Sequence, residues 1–476
     1  MDRNQYRRIE GTVDEITEIK IDYKNYDSKD KIEDLELEGN ENVIIYRNEG
    51  GNGEEFINIY SGIRIMITTE RTIDRDRYKK LPMNIEYVIV GKKKYEVKEE
   101  FDMIKFMSKE RFEEYIKEAI SQGKQNESDK KDNTLLIQVC KNKMEGVAME
   151  LIPRMSEEAI NKWNEDGETA LIIACIEDME KVAIELIPRM SEEAINKWNV
   201  NNLTSINWAC ERGMEKVAME LIPRMSEEVI NKWDKDGKTA LYGACYHKME
   251  RVAIELIPRM SEEAINKYDE DGRTSLYYAC YNRMERVAME LIPRMSEEAI
   301  NKWNKDGQTA LFIACICRME RVAMELIPRM SEDSINKWNK GYTSLYCACY
   351  NRMERVAMEL IPRMSEEAIN KWNKDGQTAL FIACYNRMER VVMELIPRMS
   401  EEALNKSNIY GYTALYSACY NRMERVAMEL IPRMSEEAIN MVSTRSKTEA
   451  LDEAIINNMK IVVEMIRERK KRIIRQ

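Results

Sequence analysis

Histidine is almost missing from this chain of 476 residues: His247 is the only one, and no partner for it is fixed by the sequence, so it reads as an ordinary surface residue. An uninterrupted apolar run of the ~18 residues that a membrane span needs is found nowhere. The opening stretch, Met1-Asp2-Arg3-Asn4-Gln5-Tyr6-Arg7-Arg8, has no apolar segment behind it, so a secretory signal is not expected. Phosphate-binding loops and dinucleotide fingerprints are missing too. No nucleophile, base and stabiliser stand in a constellation that could catalyse a reaction, and neither an enzymatic activity nor a cofactor is expected. Proline is sparse, ten in all, and only Pro82 lies outside one regular series.

What is present is charge. Charged residues make up 33% and hydrophobic ones 44%, with a net charge of -11. That balance fits a soluble, mildly acidic surface and argues against coating nucleic acid or an anionic membrane through overall charge. A soluble protein of the cytoplasm is expected. Of the 11 cysteines, nine fall at one position of a repeat: Cys140, Cys175, Cys210, Cys245, Cys280, Cys315, Cys349, Cys384 and Cys419. Successive copies would stand about one helix-packing distance apart, roughly 8–10 Å, beyond the ~7 Å Cα separation a disulfide tolerates. Free, buried thiols in a reducing compartment fit better. Cys315 with Cys317, and Cys347 with Cys349, lie two apart on a helix, where side chains do not share a face, so no metal is expected there.

The proline series defines the repeat. Ile-Pro-Arg-Met recurs at Pro153, Pro188, Pro223, Pro258, Pro293, Pro328, Pro362, Pro397 and Pro432, a period of 35 residues with a single 34. In residues 271–305 the pattern predicts a short helix over 274–282, capped by Thr274, with Leu276, Ala279 and Cys280 on one stripe. A second helix over 285–292 presents Val287, Ala288, Leu291 and Ile292, and Pro293 discourages its continuation. Ser296 can cap one acidic turn, Glu297 to Ile300, and the polar remainder ends in an Asp-Gly turn signal. Helices this short are not stable alone in water, so each unit must bury its apolar face against the next and the whole must stack as a solenoid.

The chain thereby resembles the ankyrin repeat family. The family's pattern is met by Gly272, Thr274, Leu276, Ala279, Cys280, Val287, Ala288, Leu291, Ile292, Ile300 and Asn301. About ten units cover residues 132–466. The resemblance implies a mostly α fold, an ankyrin-type helical solenoid, that binds other proteins. Ser or Ala replaces the family's proline, and Tyr, Phe or Ile its histidine, while Arg283-Met284 stands where Gly-His is usual. The family's histidine ladder therefore cannot exist, and packing is expected to supply the local stability. The unit is also about two residues longer than the usual 33.

The ends differ from the array. Residues 1–107 read as a small β-rich domain of no recognised family, with β-like stretches at 18–23, 43–47, 56–60, 63–68 and 85–90 and a turn at 48–53. A helix over 108–120 and a polar linker over 121–131 follow. Residues 467–476 form a basic C-terminal tail, and an atypical last unit with a polar outer face would end the stacking.

Two aromatic ladders are candidate partner-binding surfaces. Trp163, Trp198, Trp233, Tyr268, Trp303, Trp338 and Trp372 sit at the finger just before Asn or Asp, which in the family is exposed and often contacts partners. These rings either anchor a partner or, the preferred reading, pack against the extra turn of their own unit. The second ladder, Tyr246, Tyr281, Tyr350, Tyr385 and Tyr420, maps by resemblance to the concave binding side, and binding or a solvated surface fits it equally. A scaffold or adaptor for another protein is the leading functional expectation. The alternative is nucleic-acid binding through Arg283, Arg318, Arg352, Arg387, Arg422 and the basic tail, although each unit balances its bases with Glu. Lys-, Ile- and Asn-rich arrays resemble those of large DNA viruses and intracellular bacteria, which adds a host cytoplasm to the expected settings.

Overall fold

The computed structural model describes residues 19–22, 43–49, 53–60, 87–90, 93–96, 109–129 and 131–474. The chain divides into two compact units, residues 1–194 and 195–476.

In the first unit, strands β1 (Ile19–Asp22), β2 (Val43–Glu49), β3 (Gly53–Tyr60), β4 (Tyr87–Val90) and β5 (Lys93–Glu96) form two antiparallel sheets. One has the order β1-β4-β5; the other pairs β2 with β3, Glu49 opposite Gly53. The expected strand at 63–68 and residues 50–52 of the expected turn lie outside the described residues. A helix over Lys109–Ser121 buries Phe112, Ile116 and Ala119, which its period places on one side. The stretch after it, expected to be a linker, instead carries the geometry of the repeat. Asp129 Oδ1 accepts from the backbone N–H groups of Lys131 (2.9 Å) and Asn133 (2.8 Å), as Asn164 Oδ1 does from Asp166 (3.1 Å) and Glu168 (2.9 Å). The polarity read as a linker signal belongs to a side chain that templates a tight turn. Among the described residues this unit holds two helix pairs, Leu135–Lys141 with Glu145–Leu151 and Ala170–Ile176 with Glu180–Leu186.

The second unit is a helical solenoid with eight such pairs. Residues 271–305 show how one is made. The hydroxyl of Thr274 accepts from Tyr277 N–H (3.2 Å) and opens the helix Ser275–Tyr281. Arg283, at φ +58°, reverses the chain into the helix Glu285–Leu291. The helix does not stop at Pro293; it tightens into a 3₁₀ turn, Ile292–Arg294, whose start has no use for the N–H that proline lacks. Ser296 then caps Glu297–Ile300 through Ala299 N–H (3.2 Å). Leu276, Ala279, Cys280, Val287, Ala288, Leu291 and Ile292 are fully buried. Burial of a large apolar side chain contributes roughly 1.5–3 kcal/mol, and seven-residue helices depend on it.

The Ile-Pro-Arg-Met turn and the serine after it create a polar seam. Arg259 donates to the carbonyls of Ile222 and Met225 in the preceding unit, and Ser261 N–H donates to Asn231 Oδ1 (2.6 Å). Arg398 and Ser400 repeat the pattern on Ile361, Met364 and Asn370. Tyrosine hydroxyls form a second set at the position of the missing histidines. Tyr242 donates to Asp269 (2.8 Å), Tyr277 to Gln308 (3.0 Å) and Tyr346 to Gln377 (2.9 Å). Packing is therefore not the sole source of stability, contrary to the expectation, because tyrosine reaches the acceptors in the next finger.

At the C-terminal end the helix Lys460–Ile474 runs on without a proline. Arg469, expected in a free basic tail, donates to Met434 O (2.9 Å), and Lys470 pairs with Glu449 (2.5 Å). The outer face is not uniformly polar, since Ile455, Ile456 and Ile461 are exposed; Ile455 occupies the position that Cys fills in earlier units.

Glycine is indispensable at some fingers and a liability elsewhere. A Cβ on Gly341, at φ +85°, would lie 2.0 Å from Trp372 O, whereas one on Gly146, inside Glu145–Leu151, would meet nothing within 4 Å. Gly341→Ala is expected to lower stability by roughly 1–3 kcal/mol or more, and Gly146→Ala to raise it by about 0.5–1 kcal/mol; urea unfolding midpoints of the two variants should move in opposite directions.

Ten of the eleven thiols are buried, Cys317 being the exception. Ellman's reagent at pH 8 should label one thiol per folded chain and eleven in denaturant. Burial pushes Cys140, Cys347 and Cys419 up to about 12 from 9.0. The unfolded thiols lose their protons first, so stability is fully present below pH 9.0 and is lost as the pH rises toward about 12. Thermal melts across that window should fall, and a flat profile would contradict the buried placement.

Candidate partner-binding groove

The finger aromatics are only partly free. Trp198, Tyr268, Trp303 and Trp338 are exposed, about 40% each, while Trp163, Trp233 and Trp372 are half-buried. Trp163, like Trp198, Trp233, Tyr268, Trp303 and Trp372, forms a β-bridge to the capping Thr of its own finger, and Trp338 pairs with Thr343 in a two-residue ladder. In the second unit the ammonium of the next repeat lies over each ring: Lys232 over Trp198 (4.1 Å), Lys267 over Trp233 (3.8 Å), Lys302 over Tyr268 (3.7 Å), Lys337 over Trp303 (3.9 Å), Lys371 over Trp338 (4.0 Å) and Lys406 over Trp372 (4.3 Å). Three of these lysines also pair with a Glu of their own acidic turn, as Lys267 does with Glu263 (3.2 Å). Such contacts contribute about 0.5–1 kcal/mol each at exposed sites, so this ladder joins repeats and leaves ring edges to solvent.

The tyrosine ladder is more open. Tyr246, Tyr281, Tyr350, Tyr385 and Tyr420 close their first helices, and 51–60% of each is exposed. A mesh of asparagine and arginine fixes the helix ends that carry them. Asn386 Nδ2 donates to Cys349 O (2.9 Å) and Tyr350 O (3.1 Å); Asn421 does so to Cys384 O (3.2 Å) and Tyr385 O (3.1 Å), and Asn457 to Cys419 O (3.1 Å) and Tyr420 O (3.4 Å). Those carbonyls end a helix and need a donor from outside it. Each asparagine oxygen is in turn held by an arginine of the preceding repeat, Arg318 on Asn351 (2.8 Å), Arg352 on Asn386 (3.2 Å), Arg387 on Asn421 (3.0 Å) and Arg422 on Asn457 (2.9 Å), through Nε. These four arginines have φ of +59° to +61°, a conformation that disfavours a side chain by about 1–2 kcal/mol, and the bond to the neighbour offsets that strain.

The mesh changes where the repeats differ. In the first unit Lys143, at φ +55°, pairs with Glu177 (2.7 Å), an ionic version of the same link. At Cys317 the asparagine is missing, the thiol faces Tyr281 O (3.6 Å), and Ile316 replaces the tyrosine. His247 is exposed and lies edge-on to Tyr246, ring centres 4.9 Å apart.

Beyond that break, Arg318 and the first helices and fingers of residues 350–453 enclose a groove of about 940 Å³. Its walls include the rings of Tyr350, Tyr385, Tyr420 and Tyr410 and the guanidinium groups of Arg318, Arg352 and Arg445. Glu453 is the one carboxylate lining it and is already engaged, accepting from Tyr416 (2.9 Å) and Thr448 (3.3 Å) while 8% exposed. Burial raises the Tyr416 hydroxyl above its ordinary value. The groove offers ring faces and guanidinium donors, the residues from which binding hot spots are built. Among the described residues, no three His, Cys, Asp or Glu side chains converge as metal ligands, and no helix is long and apolar enough to cross a membrane.

Repeats of this build, two antiparallel helices and a finger stacked through their flanks, define a helical repeat protein with a groove along its first helices. The chain carries ankyrin repeats: residues 251–337 and 345–444 match the family model for ankyrin repeats, in three copies. No curated protein matches the chain. Ankyrin repeats are generally protein–protein interaction modules, and the family is typically a non-enzymatic binding scaffold.

The asparagine mesh was not anticipated from the sequence; its trace there is the recurrent Asn-Arg pair after Tyr281, Tyr350, Tyr385 and Tyr420. Asn386→Ala removes three hydrogen bonds and should lower stability by roughly 1–3 kcal/mol. Serine at the same position is too short to reach both carbonyls and should not rescue it; equal urea midpoints for wild type and Asn386→Ala would refute the role assigned to the mesh.

Proposed function

We propose that the chain is an adaptor whose tyrosine ladder grips one partner protein. The observation that carries this reading is the exposure of Tyr350, Tyr385 and Tyr420, 59%, 59% and 56%, on helix ends held by the asparagine mesh. A large ring fixed in place loses little entropy on binding, which is why such residues dominate interfaces. The finger aromatics are proposed as a secondary contact, since lysines cover one face of six of them. The N-terminal strands are proposed to belong to a separate β-rich domain that engages something else. Ten buried free thiols support an intracellular, reducing compartment. The nucleic-acid alternative gains no support from overall charge, since the chain carries a net charge of -11.

Affinity capture with the full chain tests the adaptor reading. Wild type should retain a defined protein that the double variant Tyr385→Ala/Tyr420→Ala loses by at least about tenfold, a hot-spot effect. Retention unchanged by the double variant, or elution of nucleic acid alone, would reject it.

A further inference from the structure

The groove's repeat spacing and charge point to one kind of occupant. The first helices of neighbouring repeats pack directly on one another, Ser344–Tyr350 on Ala379–Tyr385 and that on Ala414–Tyr420. Helices in such contact stand about 8–10 Å apart, and Tyr350, Tyr385 and Tyr420 hold the same place on each, so the rings recur at that interval. An occupant that meets all three alike needs a matching axial repeat and must present the same face each time. A polyproline II segment has three residues per turn and a rise of 3.1 Å, about 9.3 Å per turn, and satisfies both conditions. An extended β-strand covers about 10 Å in three residues but turns its side chains to alternate faces, so the third residue points away. Two turns of α-helix advance about 10.8 Å, which drifts out of step over three rungs.

Charge narrows the occupant further. Three guanidinium groups, those of Arg318, Arg352 and Arg445, line the groove, and all three residues are exposed. Arg318 and Arg352 use Nε for the mesh, which leaves the Nη donors of each fork for a carboxylate. Arg445 lies over Tyr410 (5.7 Å to the ring centre) at the finger end of the groove. Glu453 is taken internally, so the groove presents positive charge within a chain of net charge -11. Next to Tyr410, Ile409 and Val442 are exposed and give the same end an apolar patch.

We propose that this groove holds an acidic, proline-containing segment of a partner protein in the polyproline II conformation, one turn per repeat. Prolines lie on the rings of Tyr350, Tyr385 and Tyr420, carboxylates three residues apart meet Arg318 and Arg352, and a further carboxylate meets Arg445 at the finger end of the groove. The proposal rests on the adaptor reading and adds the chemistry of the bound segment to it. Aromatic grooves favour this conformation because it is preformed and little entropy is lost on docking. Three arginines are also few for a nucleic acid, whose binding rests on many phosphate contacts.

The test uses the full chain and fluorescence anisotropy with labelled probes. One probe contains three Glu-Pro-Ala triplets, a second three Lys-Pro-Ala triplets, and a third three Glu-Gly-Ala triplets, which keep the charge and lose the conformation. A single-stranded oligonucleotide of the same length is the fourth. The Glu-Pro-Ala probe should bind most tightly, the glycine version at least about fivefold more weakly, and the lysine version not measurably. Arg445→Gln and Tyr385→Ala, which change exposed side chains that take no part in the mesh, should each weaken the first probe by about tenfold with unchanged unfolding midpoints. Equal binding of the proline and glycine probes, no effect of either variant, or tightest binding of the oligonucleotide with steep salt dependence would each overturn the proposal. If the Glu-Pro-Ala probe fails while a captured protein still depends on Tyr385 and Tyr420, the adaptor reading stands and this inference falls; if capture is also independent of the tyrosines, both fall.

Discussion

A seven-residue helix cannot hold its shape in water, and the described repeats are built from such helices. The nucleus of a helix is unfavourable and each added residue returns little, so Ser275–Tyr281 or Glu285–Leu291 persists only because its apolar side faces the same side of another repeat. The side chains at that contact follow from this. Cysteine and alanine recur in the first helix, where small residues let neighbouring backbones approach. Gly243 shows the limit of that approach: a Cβ there would lie 2.8 Å from Cys210 C. The dependence also explains why the nine thiols at the repeat position stay unpaired, since each of them is fully enclosed by its own stack.

Apolar contact is nearly uniform along a stack of near-identical units and so does little to fix register, which one polar bond at a defined position can do. Three polar seams serve this purpose, one on each flank of the repeat. The Ile-Pro-Arg-Met turn reaches back to carbonyls, lysine lies over the finger ring of the preceding unit, and asparagine seals the end of the preceding first helix. The first and third end on backbone carbonyls at helix ends or turns. The family solution with histidine is one way to fill that need; tyrosine hydroxyls on finger side chains are another. The finger glycines belong to the same logic, because Gly341 gives way to the carbonyl of Trp372. At Asn202, φ +64°, a side chain is tolerated because its own amide donates to Trp233 O (3.0 Å).

The period, the two helices, the Thr and Ser caps and the apolar stripes were legible in the sequence because each is set within about ten residues by spacing and capping chemistry. The tyrosine ladder was legible as a position. What sequence reading missed joins residues about 35 apart. Asn386 meets Tyr350 O, and Lys371 meets Trp338, only after stacking has set the register. A repeat reveals which residues are equivalent, not which edges of equivalent residues touch. The finger at 124–133 was missed for a different reason: it contains the same aspartate-templated turn, but no aromatic residue and no glycine mark it.

The break at Ile316 and Cys317 has consequences for the surface as a whole. North of it in sequence stand Tyr246 and Tyr281, and after it Tyr350, Tyr385 and Tyr420, so the ladder is two runs rather than one. A partner segment bound along the longer run touches three repeats at once. It can do so only while their first helices keep the stacked register that the asparagine mesh enforces. Binding energy therefore adds to the inter-repeat interfaces between residues 345 and 456, by the general rule that a ligand of the folded form stabilises it. The contact reaches the repeat of Ile316 through Arg318 and Asn351, whose amide donates to Ile316 O (3.1 Å), but not the interface before it, where the Cys317 thiol faces Tyr281 O (3.6 Å) in place of an asparagine. Occupancy of the groove would thus stiffen one end of the solenoid and leave the Cys317 junction as the interface where the stack opens first.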